Sequence, residues 1–180
     1  MTDPFLVLPP LKNLVVLERG FLDQNHFHLE SEENLSSLPR RLYESSLYWI
    51  EKFEELAGEQ PKEIKLELQD SQGCRLFHRD HVGQRMVVTY YGPTTEWIEN
   101  EYVQESGLTW SAALEKKEKE KENDYIDRRN SLIVKDWSKV RSAPFQGALF
   151  MHGIKIRRDA VVHRSPAKPF KKRVVLILTS

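Results

Sequence analysis

Apolar residues recur at helical intervals across residues 37–58. Leu42, Trp49, Phe53 and Leu56 fall near one face, Leu47 and Ile50 widen it, and Glu44, Glu51, Lys52, Glu54 and Glu55 occupy the other. Ser36 or Ser37 is placed to cap this helix, Pro39 sits in its first turn and Gly58 stops it. The pattern predicts a packing helix without chemistry of its own. After Pro61 the period changes. Ile64-Lys65-Leu66-Glu67-Leu68 alternates apolar and charged, as a half-buried strand does, and Ser71-Gln72-Gly73 reads as a turn. Cys74 to His78 and Arg85 to Tyr91 are further strand candidates, the second rich in β-formers and ended by Gly92-Pro93. Strand-like runs return at Leu132–Val134, Gly147–Met151, Ala160–His163 and Arg173–Leu178. Between the two groups, residues 111–130 are dominated by Lys and Glu beyond Leu114, the pattern of an exposed helix, and are read as a solvated insertion rather than a flap. Near the start, Pro9-Pro10 breaks any helix and Leu14 to Leu17 suits a short strand.

These elements predict one domain over residues 1–180. Residues 1–60 form an N-terminal helical layer, and 64–180 a β core with a charged helical insertion at about 109–130. The class is mainly β with flanking helices, and many short strands separated by turns suggest a sandwich or jelly roll. The length of 180 residues suits a single core, and 8 Phe, 6 Tyr and 4 Trp need burial, which excludes disorder over the whole chain. No apolar run approaches the length of a membrane span, so no membrane partner is expected. Met1 to Phe5 places no basic residue before an apolar stretch, so no secretory leader is expected and the cytoplasm is the expected compartment. The single cysteine, Cys74, excludes an intrachain disulfide and a Cys-based zinc finger; a small buried hydrophobe is its simplest role. The formal charge of zero conceals an asymmetry: residues 1–130 carry 25 acidic and 16 basic side chains, residues 131–180 only 2 acidic and 11 basic. Internal pairing of the two parts accounts for at least half of this, and an anionic partner is the alternative.

Six histidines are present, and two stand out by context. In His78-Arg79-Asp80 the His and Asp are two apart at the end of a predicted strand, so both side chains point the same way and reach one ion. His163 ends another predicted strand. Two imidazoles and one carboxylate on one face of a metal, with the remaining positions open, are the facial triad of non-haem Fe(II) oxygenases. Arg173 follows His163 by ten residues, at the start of the last strand. If the two strands are antiparallel neighbours, its guanidinium reaches the same cavity and suits a carboxylate. His81 alternates away from the face of Asp80, His152 reads as a loop histidine, and His26-Phe27-His28 has no carboxylate nearby. Arg85 suits either a salt bridge or a substrate or co-substrate contact. Trp97 and Trp110 suit a cavity mouth, although aromatic residues in sheets are more often core.

Taken together, His78, Asp80, His163 and Arg173 resemble the 2-oxoglutarate and Fe(II)-dependent dioxygenase superfamily over about residues 74–180. The resemblance implies a double-stranded β-helix (a cupin-like jelly roll), iron on His78, Asp80 and His163, and Arg173 on the far carboxylate of 2-oxoglutarate. Tyr90 and Thr89 are the candidates for the near carboxylate, and Arg85 and Trp97 for substrate. The sequence departs from the pattern at Val175, where many members carry Ser two after the arginine, and at Ala148, where an Asp is usual. A closer resemblance is to an uncharacterised bacterial family of unknown function. It is carried by Phe77-His78-Arg79-Asp80-His81-Val82, Arg85, Thr89-Tyr90-Tyr91-Gly92-Pro93, Thr95-Glu96-Trp97 and His163-Arg164-Ser165-Pro166. The expected function is an oxygenase that hydroxylates or demethylates a substrate the sequence does not name. The alternative is a cupin-like metal-binding protein serving metal homeostasis or sensing. A third reading, a nucleic-acid module, uses Arg157, Arg158, Arg164, Lys168, Lys171 and Lys172.

Overall fold

A computed structural model describes residues 14–17, 40–70, 73–109 and 115–180. Pro9-Pro10, His26, His28, the Ser36/Ser37 cap, Pro39, Ser71-Gln72, Trp110 and residues 111–114 lie outside the described residues. The elements in chain order are β1 (Leu14–Leu17), α1 (Arg40–Ala57), β2 (Glu63–Gln69), β3 (Gln84–Tyr91), β4 (Glu96–Ile98), α2 (Glu105–Leu108) and α3 (Glu122–Ile133). After these come β5 (Arg141–Ser142), β6 (Ala148–His152), β7 (Val162–Arg164) and β8 (Arg173–Thr179).

The strands form two sheets, with orders β1-β6-β3-β8-β2 and β5-β4-β7, and every pairing is antiparallel. A single antiparallel bridge between His78 and His163 carries the second sheet one segment past β7. From β2 onward the chain crosses repeatedly between the sheets. The protein is thus mostly β, in two antiparallel sheets, with a few helices.

Strand alternation sorts the core. On β3 and β8, Met86, Val88 and Tyr90, with Val174, Leu176 and Leu178, turn to the face covered by Leu42, Trp49 and Phe53 of α1. The apolar stripe read in the sequence is therefore what docks α1. Phe53 meets the ring of Phe150 edge-on at 5.7 Å, an arrangement that favours aromatic pairs. The opposite face of the first sheet presents Val87, Leu149 and Met151 to Trp97 and Val161, which fills the space between the sheets. A third cluster of Phe77, Ile98, Val103, Ile133, Val134 and Val162 joins the outer face of the second sheet to α3.

Three expectations need correction. Leu132–Val134 is not a strand: Leu132 and Ile133 end α3, and Val134 makes only a bridge to Val103. Cys74–His78 is not a strand either. The Asn130 side chain of α3 holds this segment instead, accepting from Phe77 N–H at 2.8 Å and donating to the Arg75 carbonyl at 3.0 Å. The insertion is accordingly not merely solvated, because α3 buries Ile126, Arg129, Asn130 and Ile133. The short strand expected at Leu14–Leu17 is present as β1, which extends the first sheet through β6. No helix among the described residues is long and apolar enough to cross a membrane.

Candidate metal centre

The His78–His163 bridge holds two backbones in register, each residue donating its N–H to the other's carbonyl at 3.0 Å. Opposed residues of an antiparallel pair place their side chains on one face, and here the ring centroids stand 4.7 Å apart. Alternation about this bridge sends Phe77 and Val162 outward to the α3 cluster. His78 and His163 accordingly turn the other way, towards Asp80. The Asp80 carboxylate approaches His78 Nε2 at 3.5 Å and His163 Nε2 at 3.2 Å. His78, Asp80 and His163 form a group whose ligating atoms lie within 4.8 Å of one another. Three donors at mutually perpendicular positions about 2.1 Å from one ion stand about 3 Å apart, so the Asp–His distances are near those of a loaded site.

The tautomers are fixed by the backbone. His78 Nδ1 lies 2.8 Å from the Leu76 carbonyl, and His163 Nδ1 lies 3.3 Å from the Val161 carbonyl. A carbonyl oxygen only accepts, so each Nδ1 carries the proton and donates it. Each Nε2 of the neutral ring then aims a lone pair at the carboxylate. Three such acceptors repel unless a proton or a cation lies among them. The donor set of two imidazole nitrogens and a carboxylate, with ring orientation fixed from behind, fits a divalent transition metal.

The charges respond accordingly. Burial resists charge on His78, but hydrogen bonds to Asp80, the Cys74 thiol and the Leu76 carbonyl outweigh it and raise its pKa to about 10. Burial likewise opposes ionisation of Asp80. His163 and His78, with the nearby Arg85 charge, overcome this and hold its carboxyl well below the usual range. Arg85 Nη1 donates to Asp80 Oδ2 at 2.8 Å and Nε to Thr179 Oγ1 at 3.4 Å, tying the carboxylate to both β3 and β8.

Arg173 begins β8 and is 3% exposed. Val174, Leu176 and Leu178 face α1, so Arg173, Val175, Ile177 and Thr179 face the other sheet. Its Nη2 donates to Thr95 Oγ1 at 2.7 Å and Thr89 Oγ1 at 3.2 Å, and Nη1 to Gln69 Oε1 at 3.3 Å, while Nε has no partner. No ion pair among the described residues involves it. Burial accordingly lowers its pKa to about 10, only weakly opposed by the charge of Glu67. A cavity of about 490 Å³ reaches the triad at His78 and runs between Leu76, Arg79, Leu108 and Tyr125.

A family described as "Protein of unknown function (DUF1826)" matches residues 40–179. The chain belongs to the DUF1826 family. No curated protein and no solved structure matches it. The match runs from the first residue of α1 to the last of β8, so this DUF1826 chain carries the triad and Arg173 within the shared part.

The DUF1826 structure brings together His78, Asp80, Arg85 and His163, and sorts the other sequence candidates. Arg85 is the salt-bridge partner of Asp80. Tyr90 is misassigned as a co-substrate contact: it faces α1, with its hydroxyl 3.4 Å from Ser46 Oγ, and burial raises its pKa to about 12. Its neighbour Thr89 is the residue that touches Arg173. Trp97 is core between the sheets, 2% exposed, not a cavity mouth. His81 and Cys74 are exposed, so Cys74 is no buried hydrophobe; its thiol sits beside His78, which lowers its pKa. His152 stands against Phe150 outside the triad. β7 and β8 lie in different sheets, so Arg173 faces the second sheet from across the interior rather than pairing beside His163. Sequence reasoning passed over Thr95, which grips Arg173, and Asn130, which sets the segment before His78. Both are polar residues whose partners are distant in sequence.

Proposed function

We propose that the protein is an Fe(II) oxygenase that takes 2-oxoglutarate as co-substrate, on a double-stranded β-helix. The strand order supports the fold reading. Four strands (β6-β3-β8-β2) face three (β5-β4-β7), the single His78 bridge lies beside β7, and the chain crosses between the layers as in a jelly roll. The observation that carries the function is the pairing of two features on the inner faces. One is a triad whose three lone-pair donors converge. The other is a buried arginine that no carboxylate pairs with among the described residues. A buried guanidinium is costly without an anion, and a dicarboxylate with one end at the metal supplies it.

Bound at the triad, iron would supply oxidation of a substrate C–H bond by dioxygen, one oxygen atom going to the substrate and the other to the succinate formed, with carbon dioxide, from 2-oxoglutarate. The protein's own residues bind and orient. Leu76 and Val161 carbonyls hold the imidazoles with Nε2 forward. Arg85 donates to Asp80 and fixes its plane. Thr89 and Thr95 aim the Arg173 fork, and the inner face of β8 between Arg173 and Thr179 is lined by Val175 and Ile177.

The test is 2-oxoglutarate affinity by calorimetry on metal-loaded protein, with succinate release measured alongside. Wild type binds and turns over 2-oxoglutarate. Arg173→Ala keeps the metal and loses at least tenfold in affinity, and Arg173→Lys recovers part, because a point charge cannot reproduce a two-pronged contact. Metal at the triad without 2-oxoglutarate binding to wild type would transfer the assignment to a cupin-like metal-binding protein.

A further inference from the structure

A second groove, of about 660 Å³, is lined by Tyr91, Gly92, Pro93, Phe145, Phe170, Lys171 and Lys172. It contains no residue of the triad. Its aromatic content is displayed rather than buried: Phe145 is 56% and Tyr91 37% exposed. The segment that carries Phe145 is tied to its neighbours. Gln146, next to Phe145, has φ of 57° although it is not glycine, and strain of that kind persists only where the surroundings impose it. They do so through Gln146 N–H, bonded to the Thr89 carbonyl at 3.0 Å, and Ala143 N–H, bonded to the Thr95 carbonyl at 2.8 Å. On the facing wall Gly92 has φ of 84°, and a Cβ there would meet the Lys172 carbonyl oxygen at 2.8 Å. Only glycine lets the Tyr91–Pro93 corner close onto Lys171–Arg173. Lys171 and Lys172 are exposed and belong to none of the ion pairs among the described residues. Other basic residues of the C-terminal part are neutralised: Arg164 by Glu96, Arg141 by Glu99 and Arg157 by Asp159.

We propose that this groove binds single-stranded nucleic acid, with a base stacked on the exposed rings and a phosphate held by Lys171 and Lys172. Open ring faces suit an unstacked base, whereas a duplex hides its base faces, and two uncompensated ammonium groups beside them suit the backbone. The proposal stands apart from the metal reading, because none of its residues ligates the metal or touches Arg173 through a side chain.

The experiment is fluorescence anisotropy of labelled oligothymidylate and oligouridylate with the full chain across a salt series. Thymidine monophosphate and a duplex serve as competitors. The expected result is single-strand binding that weakens with salt and is poorly displaced by either competitor. Phe145→Ala should lower affinity roughly tenfold, since a stacked base contributes a factor of that order. Lys171→Ala with Lys172→Ala should reduce the salt slope by about 0.7, from the loss of the one phosphate the two lysines hold. All three positions are solvent-exposed, so folding is retained, as circular dichroism would verify. No binding at low salt, or binding that both variants leave unchanged, overturns the proposal. Equal displacement by the mononucleotide or the duplex overturns the assignment to single strands.

Discussion

His78 holds the proton that a metal must displace. Its folded pKa, raised to about 10 from 6.5, means that the metal-free protein is charged there at neutral pH. Metal binding should therefore release a proton, and affinity should rise with pH up to about 10. Calorimetry in buffers of different ionisation enthalpy measures that release; a proton count of zero at neutral pH would contradict it. The same shift affects folding. A raised folded pKa gives stability that is complete below 6.5 and disappears as pH climbs through about 10. Denaturant unfolding of metal-free wild type should weaken over that interval, and His78→Gln should flatten the dependence. At this scale the triad was legible because the two-residue spacing of an extended chain fixes which side chains share a face. Tyr90 was not, because assigning it needs the parity of β3. Docking of α1 sets that parity, and the register shifts between Thr89 and Tyr91.

Element by element, the site depends on how the second sheet is clamped from outside. Arg164 follows His163 on β7 and faces the other way. It donates to Glu96 of β4 at 2.7 Å, with its guanidinium 4.4 Å from the ring of Phe77 and 5.4 Å from that of Trp137. One side chain thereby joins β7, β4 and the residue before His78. Arg164→Ala leaves the half-buried Glu96 without its arginine and should cost about 1–3 kcal/mol in urea unfolding, with weaker metal binding; a change near zero would show that Arg164 does not clamp the sheet. On the other sheet, Phe53→Ala should cost about 3–5 kcal/mol as α1 loses its central knob, while the triad still takes metal. The periodic helix α1 and the strands β2, β3, β6 and β8 were readable from alternation and β-formers. β4 and β5 have three and two residues, too few for any period to register. α3 was read as solvated because its inward face includes Arg129 and Asn130, and burial paid for by hydrogen bonds leaves no hydrophobic signal.

Across the whole molecule, Arg141–Glu99 and Arg164–Glu96 tie the basic C-terminal part to the acidic one, while Lys171, Lys172 and Arg173 enter no ion pair among the described residues. The two-layer arrangement then leaves the candidate ligands His78 and His163 at the second sheet and Arg173 on the first, so a ligand that engages both spans the layers. Binding to the native state alone stabilises it. A divalent ion at a hundredfold excess over its Kd should contribute about 2.7 kcal/mol, raising Tm by roughly 5–10 °C for a chain of this size. A chelator should reverse the shift, and Asp80→Ala should abolish it. The most direct test of the central claim is a crystal structure of the protein soaked with Mn(II) and 2-oxoglutarate. The account predicts one ion about 2.0–2.2 Å from His78 Nε2, His163 Nε2 and an Asp80 oxygen, with 2-oxoglutarate reaching from that ion to the Arg173 guanidinium. An ion bound elsewhere, or an Arg173 still engaged only by Thr89, Thr95 and Gln69 in the presence of 2-oxoglutarate, would contradict it.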